Sequence, residues 1–395
     1  MLGFGRKGKG PLYGALIDIG SGTLGVAIVA SDLANKLPVI VYMNRITMRV
    51  GKRNGYNNEN LRRVREMLFS ASLILSQEGF KALREFDEDA RIDELCVTCS
   101  SPWSYTVSRH VEYKDDEPFK VNSTILKDLI DSAESEIVAY VREKTSVKDE
   151  SFDIVERATT NVTVNEYPVA NPLHVEGSML TLSHIAGLIP TKIMGSVHEI
   201  QDKLFPGTQL HAHTSMLVMY SVVRDLFPRV HSFCIINVTA EATEFGIVED
   251  DVLMENSFVL KGTNAFVQGI MERSERPLAD IQSSMRSFGK DGIPEDADLL
   301  AESLLYKKSV SEGIESILER RAIPNRFIIT AHEPYKSYFR EMIGESLRAT
   351  LTKKPDLLAM DEHLINEISH GAGEDVYLAL AARFFHKLHA EEEHK

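Results

Sequence analysis

A short turn near the start of the chain carries the residues best suited to chemistry, Asp18-Ile19-Gly20-Ser21-Gly22-Thr23. Glycine and serine let the backbone approach a ligand closely, and the N–H groups of such a turn point at anion oxygens. A carboxylate beside them, here Asp18, holds Mg²⁺ through bound water. The turn therefore predicts a site for nucleotide phosphates, although a turn of this composition can also do no more than connect two strands.

The elements around this turn are those of a mixed α/β layer. Apolar runs on both sides of it, at residues 16–19 and 24–29, predict a β-hairpin, and residues 39–50 predict a third strand. Within residues 58–78 the apolar side chains recur at intervals of three and four, which is the spacing of an amphipathic helix. Three strands and then a helix therefore open the chain.

The same order returns about 220 residues later. Residues 233–248 again predict a strand, a turn of small residues and a second strand, and residues 252–259 predict a third. The other predicted elements of this half are helices at 264–273, 278–288 and 299–321, a strand at 327–330, and helices from 335 and over 375–388. Duplication of one α/β unit explains this long period better than a solenoid, whose repeats are about 20 to 50 residues long.

The region between the two copies has a different pattern of predicted helices and strands. Residues 92–190 predict a small α+β insertion, in which short strands accompany one long helix at residues 122–141. The predicted strands lie at residues 95–98, 162–164 and 179–185. Two helices, at residues 192–204 and 214–226, then lead into the second copy.

In this order of elements the chain resembles the ATPase superfamily of actin, sugar kinases and heat-shock chaperones, and within it the bacterial PilM and FtsA families. Residues 18–25 resemble the first phosphate loop, residues 237–246 lie where the second belongs, and residues 327–333 resemble the adenosine motif. The resemblance implies an α/β fold, the two-lobed actin-like ATPase fold with a duplicated ribonuclease H-like unit. It also implies a small α+β domain inserted in the first lobe.

This resemblance divides the chain into lobes. Residues 11–91 and 191–228 are expected to form the first lobe, with residues 92–190 inserted as an SHS2-type (1C-like) domain. Residues 229–390 are expected to form the second lobe and its closing helix. A flexible basic tail at residues 1–10 and an acidic tail at residues 391–395 complete the prediction.

The resemblance also implies ATP or ADP with Mg²⁺ as the ligand, with Asp18 binding the metal through water. The implied nucleotide-binding residues are Asp18, Gly20, Ser21, Gly22, Thr23, Asn237, Thr239, Thr330 and Ala331. Two motifs depart from the family pattern. Asn237 stands where a second aspartate is expected, and Ala331-His332-Glu333 replaces the glycines of the adenosine motif. The prediction is therefore weak or structural nucleotide binding with little hydrolysis and no assigned catalytic residue. Glu244 is interpreted as an exposed turn residue; the alternative is that it replaces the missing carboxylate.

Three further groups of residues have alternative interpretations. Cys96 and Cys99 have the Cys-x-x-Cys spacing, but their place in a strand favours buried thiols over a redox or zinc site. His211 and His213 lack a third ligand nearby in the sequence. Trp103, the only tryptophan, and Tyr105 are predicted to be exposed aromatic anchors for a partner; the alternative places Trp103 in the core of the inserted domain.

Composition excludes some classes of function. The chain has 58 acidic and 44 basic residues, and a net charge of −14 argues against binding a nucleic acid. Three cysteines cannot make a disulfide framework, and no apolar run approaches the length of about 20 residues that spans a membrane. We therefore expect a cytoplasmic protein whose association with a membrane is indirect.

The favoured hypothesis is a PilM-like scaffold for a type IV pilus or a related envelope machine. On the resemblance, its inserted domain and the adjoining first lobe would bind a cytoplasmic segment of a membrane protein, and it would form a homo-oligomer or filament. The apolar run at residues 376–385 is expected to be buried, which is unlike a membrane-binding helix. The alternatives are an FtsA-like cell-division protein that polymerises at the membrane, and an active ATPase or small-molecule kinase.

Overall fold

The computed structural model describes residues 10–47, 58–144, 150–287, 296–332 and 335–393. Its strands are β1 (Leu12–Ile19), β2 (Thr23–Ser31), β3 (Val39–Thr47), β4 (Glu94–Cys99), β5 (Tyr105–Lys120), β6 (Phe152–Val164), β7 (Tyr167–Pro168), β8 (Glu176–Pro190), β9 (Gln209–Thr214), β10 (Phe233–Val238), β11 (Thr243–Glu249), β12 (Val252–Val259), β13 (Arg326–Ala331) and β14 (Asp356–Ala359). Its helices are α1 (Asn58–Ile74), α2 (Phe80–Phe86), α3 (Ser123–Lys144), α4 (Thr191–Leu204), α5 (Ser215–Leu226), α6 (Thr263–Ser274), α7 (Leu278–Ser287), α8 (Ala297–Leu318), α9 (Lys336–Thr350), α10 (Glu362–Ile368) and α11 (Val376–Glu393). One π-helical turn, Leu75–Gly79, joins α1 to α2.

Two five-stranded sheets share one topology. The first has the order β3-β2-β1-β4-β9 and the second the order β12-β11-β10-β13-β14. In each, a three-stranded antiparallel meander is extended by two parallel strands. Asp18 lies opposite Gly25 and Thr98 in the first sheet, and Asn237 takes the equivalent place in the second. The duplication predicted from the sequence is therefore confirmed.

Helix α11 packs in the core between the two sheets. Its apolar side chains join a buried cluster that includes Leu16 of β1 and Ile235 of β10, together with residues of α5. Phe385 is fully buried above Gly14, where an added Cβ would lie 2.5 Å from the ring, so only glycine fits beneath it. The burial that was predicted for the apolar run at residues 376–385 is confirmed.

The outer face of each sheet is covered by amphipathic helices. α1 and α4 pack over the first sheet, and α6, α8 and α9 pack over the second. Each of these two sets of helices buries the outer apolar face of its sheet. The inner faces are buried by α11, so both sheets are covered on both sides. No helix in the described ranges is long and apolar enough to cross a lipid bilayer.

The inserted unit is smaller than residues 92–190. Its own sheet has the order β5-β8-β6-β7 and is covered by α3. Strand β4, which the sequence assigned to this unit, instead pairs in parallel with β1 and β9 in the first sheet. A short apolar strand carries no local signal of which sheet it joins, so the start of the insertion was predicted too early.

Trp103 and Tyr105 are not exposed. Trp103 is 0% exposed and belongs to the core beneath α1 and α4, while Tyr105 is 3% exposed. The ring of Tyr105 packs against Phe152 and Phe258, with centroids 5.9 Å away in both cases. The predicted exposure of these two anchors was wrong, and so was the alternative that placed Trp103 in the core of the inserted unit.

Because Trp103 fills the core of the first lobe, its truncation should affect stability. We expect Trp103→Ala to lower the free energy of unfolding by about 3–5 kcal/mol, the usual cost of deleting a large buried aromatic side chain. Equilibrium unfolding in urea measures this. Tyr167→Ala is the matched control, since Tyr167 is 76% exposed, and it should change the value by less than about 0.5 kcal/mol. Equal stabilities of the two variants would contradict the buried position of Trp103.

Candidate nucleotide cleft

The two loops predicted to hold phosphates face each other between the lobes. Gly20, Ser21 and Gly22 form the turn between β1 and β2, and the Oγ of Ser21 accepts a hydrogen bond from the backbone N–H of Glu241 at 3.0 Å. A Cβ added to Gly22 would lie 2.3 Å from the Cβ of Ala240. The loops are therefore in direct contact, and glycine at position 22 is what permits it.

Arg45 of β3 occupies the middle of this junction. Its guanidinium donates to Asp18 Oδ2 at 2.9 Å, to Thr23 Oγ1 at 2.9 Å, and to both carboxylate oxygens of Asp375 at 2.6 and 2.9 Å. Only 16% of the Arg45 side chain is exposed, and 2% of that of Asp18. A buried cation thus neutralises the carboxylate that was predicted to bind Mg²⁺.

The N-terminus of α11 is joined to both lobes. Asp375 also accepts the backbone N–H of Leu378 at 3.1 Å, so it caps the helix while it binds Arg45 of the first lobe. Two residues later, the hydroxyl of Tyr377 donates to Asn237 Oδ1 of the second lobe at 2.8 Å. The helix therefore connects the two predicted phosphate strands, β1 and β10, through side chains at its first turn.

In the second lobe, Asn237 is the centre of a buried hydrogen-bond network. Thr330 donates to its Oδ1 at 3.1 Å, and its own Nδ2 donates to Glu244 Oε2 at 2.7 Å. The other oxygen of Glu244 accepts from Ser101 at 2.6 Å. Glu244 is only 3% exposed, so its interpretation as an exposed turn residue was wrong. Burial raises its pKa, although the hydrogen bonds offset part of that effect.

The two aspartates beside Arg45 differ in their electrostatics. Burial raises the pKa of Asp18, and the charge of Arg45 and the hydrogen bond from Thr98 oppose this only in part. Burial also raises the pKa of Asp375, but the charge and hydrogen bonds of Arg45 outweigh it, so the net shift is downward. Arg45 itself has a raised pKa, because the two carboxylates outweigh its loss of hydration. The guanidinium remains charged at any physiological pH.

His332 completes the cluster from the adenosine motif. Its Nε2 lies 3.1 Å from Thr23 Oγ1, and its ring packs against Tyr377 with centroids 4.2 Å apart. Burial and the nearby positive charge of Arg45 lower the pKa of His332 to about 3. The ring is therefore neutral at pH 7, which suits a position beside a buried guanidinium.

These residues do not fit ATP or ADP with Mg²⁺ in this closed arrangement. Both oxygens of Asp18 already accept hydrogen bonds, from Thr98 and from Arg45, whereas a Mg²⁺ ligand needs a free oxygen facing hydrated metal. The contact between Gly22 and Ala240 fills the space between the loops. All nine predicted nucleotide-binding residues lie at the ends of the strands or in the turns that meet here. Asp18, Ser21 and Asn237 are bound by other side chains or by the facing loop.

Sequence reasoning missed Arg45, Asp375 and Tyr377. A single arginine inside an apolar strand was the available signal, because a charge buried there requires an acidic partner from elsewhere in the fold. The partner could not be named, since Asp375 is 330 residues away.

The remaining candidate groups lie in two neighbouring strands of the first sheet, β4 and β9. Cys96 and Cys99 are buried in β4, and burial raises the pKa of Cys96 to about 12. His211 contacts Glu94 at 3.2 Å and His213 contacts Glu156 at 2.7 Å. Within the described ranges, no group of three or more His, Cys, Asp or Glu side chains has the arrangement of a metal site.

Replacing Arg45 should leave two carboxylates facing each other without a counter-charge. We expect Arg45→Met to lower the free energy of unfolding by about 3–5 kcal/mol, the cost of breaking a buried ion pair from one side. Denaturant unfolding at pH 7 measures this. The control is Arg62→Met, whose side chain is 73% exposed beside Glu66 and should contribute less than about 1 kcal/mol. A stable Arg45→Met protein would show that the cluster does not join α11 to β3.

His332 should make the protein sensitive to acid. The histidine binds a proton below pH 6.5 in the unfolded chain but only near pH 3 in the folded protein, so stability falls as the pH falls through this window. Between pH 6 and pH 4.5 we expect the free energy of unfolding of His332→Gln to fall less steeply than that of the unmodified protein, by about 1 kcal/mol per pH unit. His363→Gln, at a side chain that is 79% exposed, is the control. Identical slopes for all three proteins would refute the prediction.

Comparison with known proteins supports the fold. No protein-family model matches the sequence, and no curated protein has a significantly similar sequence. Among solved structures, the chain is similar to the "PilM-PilN type IV pilus biogenesis complex", with a TM-score of 0.56 and 12% identity over 95% of this chain and 98% of that one. It is also similar to a Bacteroides thetaiotaomicron protein "with actin-like ATPase fold and unknown function", with a TM-score of 0.46 and 9% identity over 96% and 99% of the two chains.

A third similar structure is the ethanolamine utilization protein EutJ from Carboxydothermus hydrogenoformans, with a TM-score of 0.47 and 8% identity over 96% of this chain and 92% of that one. At 12% sequence identity or less, structural similarity supports a statement about the fold and not about the function. The likeness to the PilM-PilN structure, together with the paired sheets and the inserted unit, confirms the prediction from the sequence: the chain has the two-lobed actin-like ATPase fold, with PilM-like similarity.

Proposed function

We propose that the protein is a PilM-like actin-like scaffold that binds other proteins and does not turn over nucleotide. The observation that carries this proposal is the guanidinium of Arg45, held between Asp18 and Asp375 where an ATPase of this fold would need a hydrated metal ion. A cleft filled by its own side chains provides a rigid junction, and the carboxylates of Asp18 and Asp375 within it are already bound to Arg45. Binding is then the activity that the geometry supports best.

The proposed partner is a cytoplasmic segment of a membrane protein in a type IV pilus or a related envelope machine. Support for this partner comes from the likeness in fold to a solved PilM-PilN type IV pilus biogenesis complex, in which PilM and PilN are the assembled proteins. On the PilM resemblance, the inserted unit, which has its own sheet and helix, would bind the segment together with the adjoining first lobe. The protein would then be a peripheral component at the inner face of the membrane, recruited by its partner.

Two alternatives have less support. An FtsA-like protein would bind lipid itself through an amphipathic helix, whereas α11 is buried in the core between the sheets. An active ATPase or small-molecule kinase would require a second free carboxylate, but Asn237 is bound by Tyr377, Thr330 and Glu244. Nucleotide binding would require the two loops to separate from their present contact.

A sedimentation experiment tests the proposal. The purified protein is mixed with membranes from its own cells, with the same membranes after limited proteolysis of their cytoplasmic face, and with protein-free anionic liposomes. We expect sedimentation with the first only, because recruitment depends on a protein segment, and we expect no change when millimolar ATP or ADP is added with Mg²⁺. Binding to the liposomes alone would favour the FtsA-like alternative, and nucleotide-dependent binding that Asp18→Ala abolishes would restore the nucleotide site.

A further inference from the structure

Strand β12 lies at the edge of the second sheet, and a long groove runs beside it. In the described part of the chain, β12 pairs with β11 on one side only. The groove consists of two cavities, of about 550 Å³ and about 430 Å³, on either side of Tyr140. Residues 254–256 line the larger and residues 257–261 line the smaller. Six of these residues, 254–259, belong to β12 and extend over about 20 Å at about 3.3 Å each.

The two walls of the groove come from different parts of the chain. One wall is the inserted unit, through residues 107–110 of β5 and Tyr140 of α3. The other wall is the C-terminal half of α8 and the two arginines that follow it. Strand β5 is itself the edge of the inserted sheet, where it pairs only with β8 among the described strands. An extended chain lying in the groove would therefore run along the unpaired edge of β12.

An open edge presents backbone N–H and C=O groups that a further strand can pair with. Proline and lysine often protect such edges, and the sequence of β12, Val-Leu-Met-Glu-Asn-Ser-Phe-Val, contains neither. Its pairing with β11 has one register shift, beside Met254, and is regular over residues 255–259. Its one charge, Glu255, is already bound by Arg320 at 2.5 Å and Arg321 at 3.1 Å. The next residue, Asn256, has a buried Oδ1 with no hydrogen-bond donor among the described residues.

The larger cavity is positively charged, although the whole protein carries a net charge of −14. Its lining includes Arg109, Arg320 and Arg321. Glu255 binds the last two, and Arg321 also contacts Glu249 at 3.4 Å, so Arg109 supplies the excess positive charge. Arg109 has no carboxylate partner in the described ranges; its guanidinium lies over the ring of Tyr140, 4.1 Å from the centroid. An arginine held flat on an aromatic ring is already oriented to bind a carboxylate. The smaller cavity is lined by one charge of each sign, Lys261 and Glu312.

We propose that this groove binds an extended acidic segment of a partner protein, which adds as a strand to the free edge of β12 and places a carboxylate on Arg109. Strand addition supplies main-chain hydrogen bonds, and the arginines select the charge of the segment. The proposal rests on the proposed function only in that the ligand belongs to another protein. The location of the groove does not depend on the proposed function, because the groove lies between the inserted unit and the second lobe.

The experiment uses the full chain with p-benzoylphenylalanine in place of His110, which is exposed and lines the larger cavity. The matched control carries the same group in place of Tyr167, which is 76% exposed on β7. After irradiation in the protein's own cells, mass spectrometry identifies the crosslinked segment. A synthetic peptide of that segment is then titrated by fluorescence anisotropy against the unmodified protein and its variants.

We expect the position of His110, but not that of Tyr167, to capture a segment rich in Asp and Glu. Arg109→Glu should weaken binding of the synthetic peptide at least tenfold, because it replaces a charge-assisted hydrogen bond with repulsion. Arg109→Gln should weaken it several-fold, and Arg62→Glu, which changes the same charge on the distant helix α1, should leave it unchanged. Hydrogen exchange of the β12 amides should slow when the peptide binds.

Other results would overturn the proposal. One such result is that the photoreactive group at position 110 captures no protein, or captures a segment without acidic residues. Another is that both Arg109 variants bind the peptide with unchanged affinity, or that hydrogen exchange of the β12 amides does not change when the peptide binds. Capture of a second copy of this chain would make the groove a self-association surface instead. If the captured protein has no membrane anchor, the proposed function fails while the groove assignment stands; if membranes recruit the protein without capture from His110, the reverse holds.

Discussion

The structure depends on one buried cation, the guanidinium of Arg45 between Asp18 and Asp375. Removing an arginine from water is costly unless carboxylates and hydrogen-bond acceptors replace its hydration, and here Thr23 and the two aspartates do so. Because Asp375 also caps α11, the same contact fixes the start of the helix that fills the core between the sheets. The turn of the first loop, the closing helix and the interlobe core are thus fixed together.

The two halves of the duplicated fold have diverged at one register position. In the first half an aspartate of β1 faces Gly25 and Thr98; in the second an asparagine of β10 faces Glu244 and Thr330. A carboxylate is therefore present in both halves. In the second half it belongs to Glu244 on the neighbouring strand β11, and Ser101 of the first lobe donates a hydrogen bond to it. Each half supplies its acid to an internal partner, which is why neither faces an open cleft.

Much of the fold could be predicted from the sequence, because apolar periodicity and turn residues are local signals. They located the hairpin of β1 and β2, its repeat in β10 and β11, and the buried helix α11. The errors concern partners. Nothing in the local sequence of Trp103 distinguishes an exposed anchor from a core residue, and nothing near Arg45 names Asp375 as the residue that it binds. The sequence placed the predicted motif residues in the turns and strand ends that meet between the lobes, but the contacts that these residues make depend on how the two lobes close.

That closure also bears on the groove beside β12. One wall of the groove belongs to the inserted unit and the other to the second lobe, and the two meet where Tyr105 packs on Phe258. A change in the angle between the lobes would therefore change the width of the groove, as hinge motion does between any two domains that share a site. In nucleotide-dependent proteins a ligand sets such an angle. Here Arg45 joins β1 to Asp375 at the start of α11, and Tyr377 of the same helix turn binds Asn237 of β10, so side chains of the chain itself connect the two lobes.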